Sequence, residues 1–573
     1  MSLTGIFFIS DLMFKRNTLI ILSFLLFPAI PSLSQDNKLI EQVRSELKDR
    51  GEVYFCFVLQ ESYSIEYISE LLSISGFVND TIFAYASEDQ FNRFLRLNIP
   101  FDLLIPPSLL YRPQRSLKTT PGKTGETYLT YQQYVELLDQ YAQDFSDLCH
   151  IIDIGESVGG KEIFVVKISD NVIEDEPEPE VFYTSTIHGD EPAGFVLLTR
   201  LIDYMLNNYN SENRITYLVD NAEIFINPLA NPDGLYFLSD TSVFGARRFN
   251  LNNVDLNRDF PDIEDGAKEV IQPETQSMID FMNQRNIILS ANFHDGAEVI
   301  NYPWDRWSKK HPDDEWYIRL SRQYADTAQK YSIPGYMDDL NNGITNGNEW
   351  YQITGGRQDY VNYYLHGREV TIELTQSRFA EGETLENLWQ YNKKALVNYL
   401  YNCFTGIKGT VADSITGRPL EARIFVNDHD YDNSFIFSDR TTGVFYRMIK
   451  GGNYHLSVNS DGYRAKDLSV NAPDNGHITI DVEMKPVDIQ MLVYPNPFAD
   501  IIKILVNDSI AGEVKIEITD VSGKVFINKT YQSFSPGVIE IDAGLLSTGF
   551  YILKVKSSTI QRQVKIIKVP KTP

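Results

Sequence analysis

From Tyr128 to Phe404 short apolar runs alternate with longer amphipathic ones, and beyond Thr405 the amphipathic runs cease. YQQYVELLDQYAQDF and FVLLTRLIDYMLNNY carry apolar residues at helical spacing, whereas IFVVKIS, VFYTSTI, AEIFINPL, IILSANF and EVTIEL are short runs rich in β-branched and aromatic residues. The acidic, proline-rich IEDEPEPE reads as a loop between two of these runs. Strands that apolar must be covered on both sides. The alternation therefore predicts an α/β fold, a mixed central sheet with helices on both faces. A stretch of roughly 275 residues suits one such domain, read as residues 127–404.

Ahead of it, VYFCFVL, SIEYISELLSIS, TIFAYAS, DQFNRFLRLNI and FDLLIP read as strand, helix, strand, helix, strand. They form a small α+β unit in residues 35–112, placed as a prosegment or an accessory domain, with a polar linker at 113–126. Behind it, GIKGTVAD, ARIFVN, GVFYRMI, NYHLSVN and HITIDVEM predict an all-β sandwich over 405–487. VYPNPFADIIKILV, the hairpin KIEITD-VSGK-VFINK, GFYILKVKSS and QVKIIKV predict another all-β module over 489–573.

Residues 1–34 have the layout of a secretory signal peptide: a cationic stretch Met13–Asn17, the apolar run TLIILSFLLF, and the small-residue exit Ser32-Leu33-Ser34. Met13 is a second candidate start. The apolar run falls well short of the roughly twenty residues a spanning helix needs, and no other run approaches it, so no transmembrane span is expected in the mature protein. Asp and Glu number 78 against 51 Lys and Arg, a formal charge of −27. Such a surface repels a phosphate backbone, which excludes nucleic acid as a general partner. Three cysteines, Cys56, Cys149 and Cys403, do not make a disulfide scaffold.

The chemistry-bearing residues sit where apolar strands end. His188 and Glu191, in IHGDEPAG, follow VFYTSTI, and His294, in ANFHDGAE, follows another such strand. Open α/β sheets bind ligands at the carboxyl ends of their strands. Two imidazoles and a carboxylate make a three-ligand zinc site with an open fourth position. The segment RRFNLNNVDLNRDFPD adds Arg247, Arg248, Asn257 and Arg258, which could clamp a carboxylate, and Asp255, suited to hold a ligand histidine. Glu373 lies on the strand EVTIEL, an odd place for a charge without a partner or a task.

Taken together, IHGDEPAG, NPLANPDG, FNLNNVDLNRDFPD, ANFHDGAEVINYPWD, GITNGNEWYQITGGRQDYVNYY and EVTIEL closely resemble the zinc metallocarboxypeptidases, in the branch containing carboxypeptidases D, E and N. The resemblance covers almost the whole α/β region in family order. It implies that His188, Glu191 and His294 bind one Zn²⁺ per chain and that Glu373 is the general base. Arg248 would stabilise the oxyanion, Asn257 and Arg258 would hold the substrate's terminal carboxylate, and Tyr351 matches the family's mobile tyrosine. Asp305 and Gln358 match the aspartate and glutamine of the branch that removes C-terminal Lys or Arg. The other reading of Asp305 is a surface carboxylate paired with Arg306 or Lys309. Two departures stand out. Arg357 replaces an apolar residue and would neutralise Asp305 if it points inward, and Asp295 replaces a glycine beside His294, a carboxylate placed to disturb the metal shell.

The sandwich after Phe404 resembles the transthyretin-like domain of this branch. The last module, with YPNPF and GFYILKV, resembles the C-terminal sorting domain of the type IX secretion system. Together these imply a secreted or cell-surface enzyme, exported through the periplasm by that machinery and acting on peptide or protein C-termini. Two alternatives stay open: a cell-wall peptide carboxypeptidase or amidase on the same zinc site, and a non-catalytic surface binding protein.

Overall fold

In the computed structural model the described residues are 37–78, 80–111, 128–486, 491–506, 513–532, 537–557 and 561–570. The signal-peptide segment and the linker at 113–126 lie outside them.

The central sheet has eight strands, in spatial order Ile344–Asn346, Glu298–Tyr302, Arg368–Leu374, Ile287–His294, Glu180–Ser185, Glu223–Asn227, Glu162–Ile168 and Cys149–Glu156. It is mixed: the middle four strands run parallel, and antiparallel strands flank them on both sides. Side chains alternate across each strand, so one strand feeds two cores. Val181 and Tyr183 pack with helices Tyr131–Asp144, Ala193–Asn208, Asp314–Lys330 and Glu383–Leu400. Phe182, between them, packs on the opposite face with helices Pro273–Asn283 and Arg357–Tyr364. The expected α/β layering is the one observed, and the edge strands Glu298–Tyr302 and Ile344–Asn346 extend it.

The N-terminal unit departs from the expectation. Helix Ile65–Leu71 stops early, and Ser73–Val78 forms a strand. The sheet is Ser73–Val78, Thr81–Ala86, Val53–Val58, Phe101–Leu103, antiparallel throughout, with a helix Asn37–Arg50 ahead of it. The run SIEYISELLSIS has helical spacing as far as Leu71. Ser73 to Val78 is claimed instead by hairpin pairing with Thr81–Ala86, a tertiary override of local periodicity.

Beyond the short turn Tyr401–Phe404 the regular elements among the described residues are all strands. Sheets of three and four strands between Gly406 and Met484 enclose one core, and two more sheets from Met491 to Lys568 enclose another. Strands Lys466–Ala472 and Ile436–Phe437 join those expected. Among the described residues no helix is long and apolar enough to cross a membrane.

Candidate active site

The site assembles at the carboxyl ends of the parallel strands. Strand Glu180–Ser185 runs through Thr186 and Ile187 into His188, and Glu191 follows one turn later, just before helix Ala193–Asn208. His294 ends strand Ile287–His294. The neighbouring parallel strand sets Glu373 in register beside it. Sheet register thus brings together residues 79 positions apart (373 − 294 = 79).

The two imidazoles point at each other. His188 Nδ1 lies 3.1 Å, and His294 Nδ1 2.8 Å, from the same oxygen, Glu191 Oε2. The ring centroids are 4.8 Å apart, and all three side chains are buried. One ligand atom from each of the three lies within 4.8 Å of the others. The far nitrogen of each ring is held: His188 Nε2 is 3.0 Å from Asp255 Oδ1, and His294 Nε2 is 2.7 Å from the Asn292 amide. Donating from Nε2 to Asp255, His188 presents its Nδ1 lone pair inward; His294 does the same when Asn292 turns its amide oxygen, buried here without a partner, towards Nε2, which completes beside Glu191 the donor set zinc prefers. Zinc therefore fits these residues.

Electrostatics sharpen the contrast among the ionisable groups. Burial opposes ionisation of Glu191, but His188, Arg378 and Arg248 outweigh it and hold its carboxyl well below the usual range. Burial lowers His294 to about 4, which keeps its ring neutral as a ligand. Burial and the nearby Glu191 charge push Glu373 up to about 8. A metal cation would pull it back down, towards a competent base at neutral pH.

Arg248, Asn257, Arg258 and Tyr351 line the same cleft as His188, Glu191, His294 and Glu373. Arg248 Nη1 is 2.7 Å from Glu191 Oε1. Asp255 caps the short turn Leu256–Arg258 by accepting from Asn257 N at 2.9 Å, which fixes Asn257 and Arg258 side by side. Arg258 donates from Nη1 to its neighbour's carbonyl, while its Nε and Nη2 atoms are buried without a partner. An unpaired guanidinium edge in a cleft is suited to a carboxylate.

Asp305 is buried one layer below the cleft floor. Its Oδ1 accepts from Asn301, a lining residue, at 3.0 Å and from Gln358 at 2.9 Å. Burial raises its carboxyl to about 6. The Gly347 backbone packs directly against the carboxylate, an approach only glycine allows, since a Cβ there would stand 1.8 Å from Asp305 Oδ1. The surface-pair reading of Asp305 fails: Arg306 reaches Glu70, Asp262, Glu264 and Asp265, and Lys309 reaches Asp432. Arg357 turns away as well. Its Nη2 pairs with the buried Glu369 at 3.0 Å and its guanidinium lies over Phe182. The Asp295 carboxylate caps a helix, its Oδ2 accepting from Ala193 N at 2.9 Å, while its backbone N–H lies 3.4 Å from Glu191 Oε2.

Several residues of the site were not anticipated. Arg378 bonds Glu191 Oε1 and also donates to the Ser75 carbonyl at 2.6 Å. Ile74, Ser75 and Gly76 of the N-terminal unit line the cleft. Ser73 Oγ donates to Asp255 and accepts from Arg248 Nε at 2.6 Å. No local pattern marks these contacts, because a serine in a short strand is among the commonest of features. A buried arginine five residues beyond Glu373 was the one available signal.

Residues 134–395 match the zinc carboxypeptidase family, and residues 492–569 match the secretion system C-terminal sorting domain. Carboxypeptidase SOL1 of Arabidopsis thaliana is 32% identical over 386 residues, 65% of this chain and 74% of that protein. The carboxypeptidase N catalytic chain of Rattus norvegicus is 31% identical over 396 residues, 62% and 85% of the two chains. Carboxypeptidase M of Mus musculus is 32% identical over 340 residues, 57% and 76%. The carboxypeptidase A structure from Helicoverpa armigera is similar over 61% of this chain and 97% of that one, with 16% identity and a TM-score of 0.47. The sorting domain marks the protein for export to the cell surface or beyond. The chain belongs to the zinc carboxypeptidase family and is a secreted peptidase of that family.

Proposed function

We propose that this carboxypeptidase releases C-terminal lysine or arginine from peptides, using zinc held by His188, Glu191 and His294. Zinc there supplies Lewis acidity, lowering the pKa of water to about 7 and polarising the scissile carbonyl. Glu373, in register beside His294, accepts the proton of the attacking water and passes it to the leaving amine. Arg248, on the same cleft wall, stabilises the oxyanion. Asn257 and the free edge of Arg258 hold the terminal carboxylate, which restricts cleavage to the chain end. Tyr351 lines the same cleft, within reach of a bound substrate.

The observation that carries the basic preference is Asp305: a buried carboxylate with two amide donors and, among the described residues, no lysine or arginine in ion-pair distance. Burying such a charge unpaired is costly, and a substrate ammonium or guanidinium offsets that cost. The names of the relatives carboxypeptidase N and carboxypeptidase M fit the same branch. Kinetics on peptides differing only in a final Lys, Arg or Phe, with zinc content measured on the same sample, test the reading. Equal kcat/KM on all three would remove the preference and leave the peptidase standing.

We also infer that the chain divides as the sequence suggests, and that the N-terminal unit is a prosegment. Its strand Ser73–Val78 occupies one wall of the cleft. It is tied down by Glu52, which accepts from the backbone N–H of Arg248 and Phe249, and by Arg50, which donates to the Gly245 and Ala246 carbonyls. Tyr351 packs against that unit's core. With the unit seated, Arg248 is engaged by Ser73 and unable to present its full donor set to substrate.

A further inference from the structure

The strand that leads to His188 at its carboxyl end, together with its parallel neighbour, carries an acidic pair at the amino end. Glu180 and Glu223 open neighbouring parallel strands and stand opposite each other in register. They are 7% and 0% exposed, and the Oε2 atom of each has no hydrogen-bond partner. Asp175, from the loop after Ile168, joins them, so that one oxygen from each of the three lies within 4.8 Å of the others. Asp170, Glu176 and Glu178 of the same loop form a second such trio, each with an unpartnered oxygen.

Like charges facing across adjacent strands are destabilising, and buried carboxylate oxygens without donors are more so. The cations present do not balance six carboxylates. Lys167 Nζ bonds Glu223 and the Glu174 carbonyl, while Arg285 and Lys408 act on Glu180 and Glu178 from farther away. Burial and the Glu223 charge raise Glu180 to about 8, so a further cation is needed for the cluster to be fully ionised at neutral pH.

We propose that Asp175, Glu180 and Glu223 bind a calcium ion, at a site separate from the catalytic centre. The donors are all hard oxygens, with no imidazole or thiolate, which disfavours zinc. They come from an irregular loop and two strand ends, which suits the flexible coordination of Ca²⁺ better than the strict octahedron of Mg²⁺. The loop also accepts a hydrogen bond from Tyr446 of the following sandwich, at the Pro177 carbonyl, 2.8 Å away. Calcium here fastens the seam between the catalytic region and that sandwich in an exported protein.

The test uses full-length protein stripped of divalent ions with chelating resin and then reloaded with one equivalent of zinc. It is titrated with CaCl₂ by calorimetry and melted at each concentration. Binding on the order of 10⁻⁴ M, as in extracellular calcium modules, and a melting temperature that rises by several degrees are expected. Asp175→Asn, at an exposed position, should weaken binding at least about tenfold without changing the calcium-free melting temperature. Glu180→Gln should abolish binding yet raise the calcium-free melting temperature, because it removes the unbalanced charge. Peptide hydrolysis at saturating zinc should be the same in both variants and the parent. No heat and no thermal shift in the parent protein, or a shift that persists in both variants, overturns the site.

Discussion

Arg248 Nε and Ser73 Oγ are 2.6 Å apart, so the arginine that bonds Glu191 is simultaneously bonded to a serine from the N-terminal sheet. Ser73 also donates to Asp255, which holds the far nitrogen of His188. One hydroxyl therefore links the N-terminal sheet to Arg248 and, through Asp255, to the His188–Glu191–His294 cluster.

That linkage predicts latency. A protease site inserted between residues 113 and 126, cut so that the N-terminal unit dissociates, should raise kcat/KM by at least about tenfold, the equivalent of 1.4 kcal/mol. Adding the isolated unit back should lower it again. Unchanged kinetics after complete removal would show that the unit does not restrain the site.

Glu373→Gln should keep its zinc and lose roughly 10²–10⁴-fold in kcat, the usual contribution of a general base. Removing the metal by chelation should abolish activity in the parent, and zinc should restore it. Near-normal turnover by the variant would refute the role of Glu373.

Arg248→Ala should lower kcat by about 10²–10³-fold if it serves the oxyanion. Because Arg248 also touches Glu191, zinc content measured on the same preparation separates lost metal from lost transition-state stabilisation. An unchanged kcat would make Arg248 a structural residue.

Asp305 makes a pH prediction. Its carboxyl is raised to about 6 by burial, so it is anionic above that pH and neutral below it. The selectivity for a final Lys over a final Phe should therefore be full at pH 7.5 and fall as the pH drops through 6. Asp305→Asn should lose that selectivity at every pH, by about 2–5 kcal/mol in kcat/KM for Lys and little for Phe.

Arg357 and Glu369 form a buried pair at 3.0 Å. Arg357→Met should cost about 3–5 kcal/mol of stability by stranding Glu369, while leaving the Lys-to-Phe preference intact. A variant with altered preference and normal stability would place the guanidinium next to Asp305 instead.

How much could be read before folding follows from how local each feature is. His188 and Glu191 share one turn, Asn257 and Arg258 are neighbours, and the apolar strands ahead of His188 and His294 announce their own burial. Spacing along the chain marked them as candidates and the resemblance of several segments to a known family assembled them into one set, while period-2 and helical patterns sufficed for the α/β layering and the all-β character of the region beyond it. The break came at Ser73–Val78, where a helical periodicity ran on past the true helix end until pairing with Thr81–Ala86 overrode it. The side-chain types and their order along the chain were enough to specify the metal cluster and its sheet. Only the packed structure decided that Arg357 turns from Asp305 to Glu369, that Asp295 caps a helix, and that Ser73 reaches Arg248. The reason is that a long or small side chain has several partners within reach of its backbone position, and which one it takes depends on segments from a dozen to well over a hundred residues away that only close packing brings alongside.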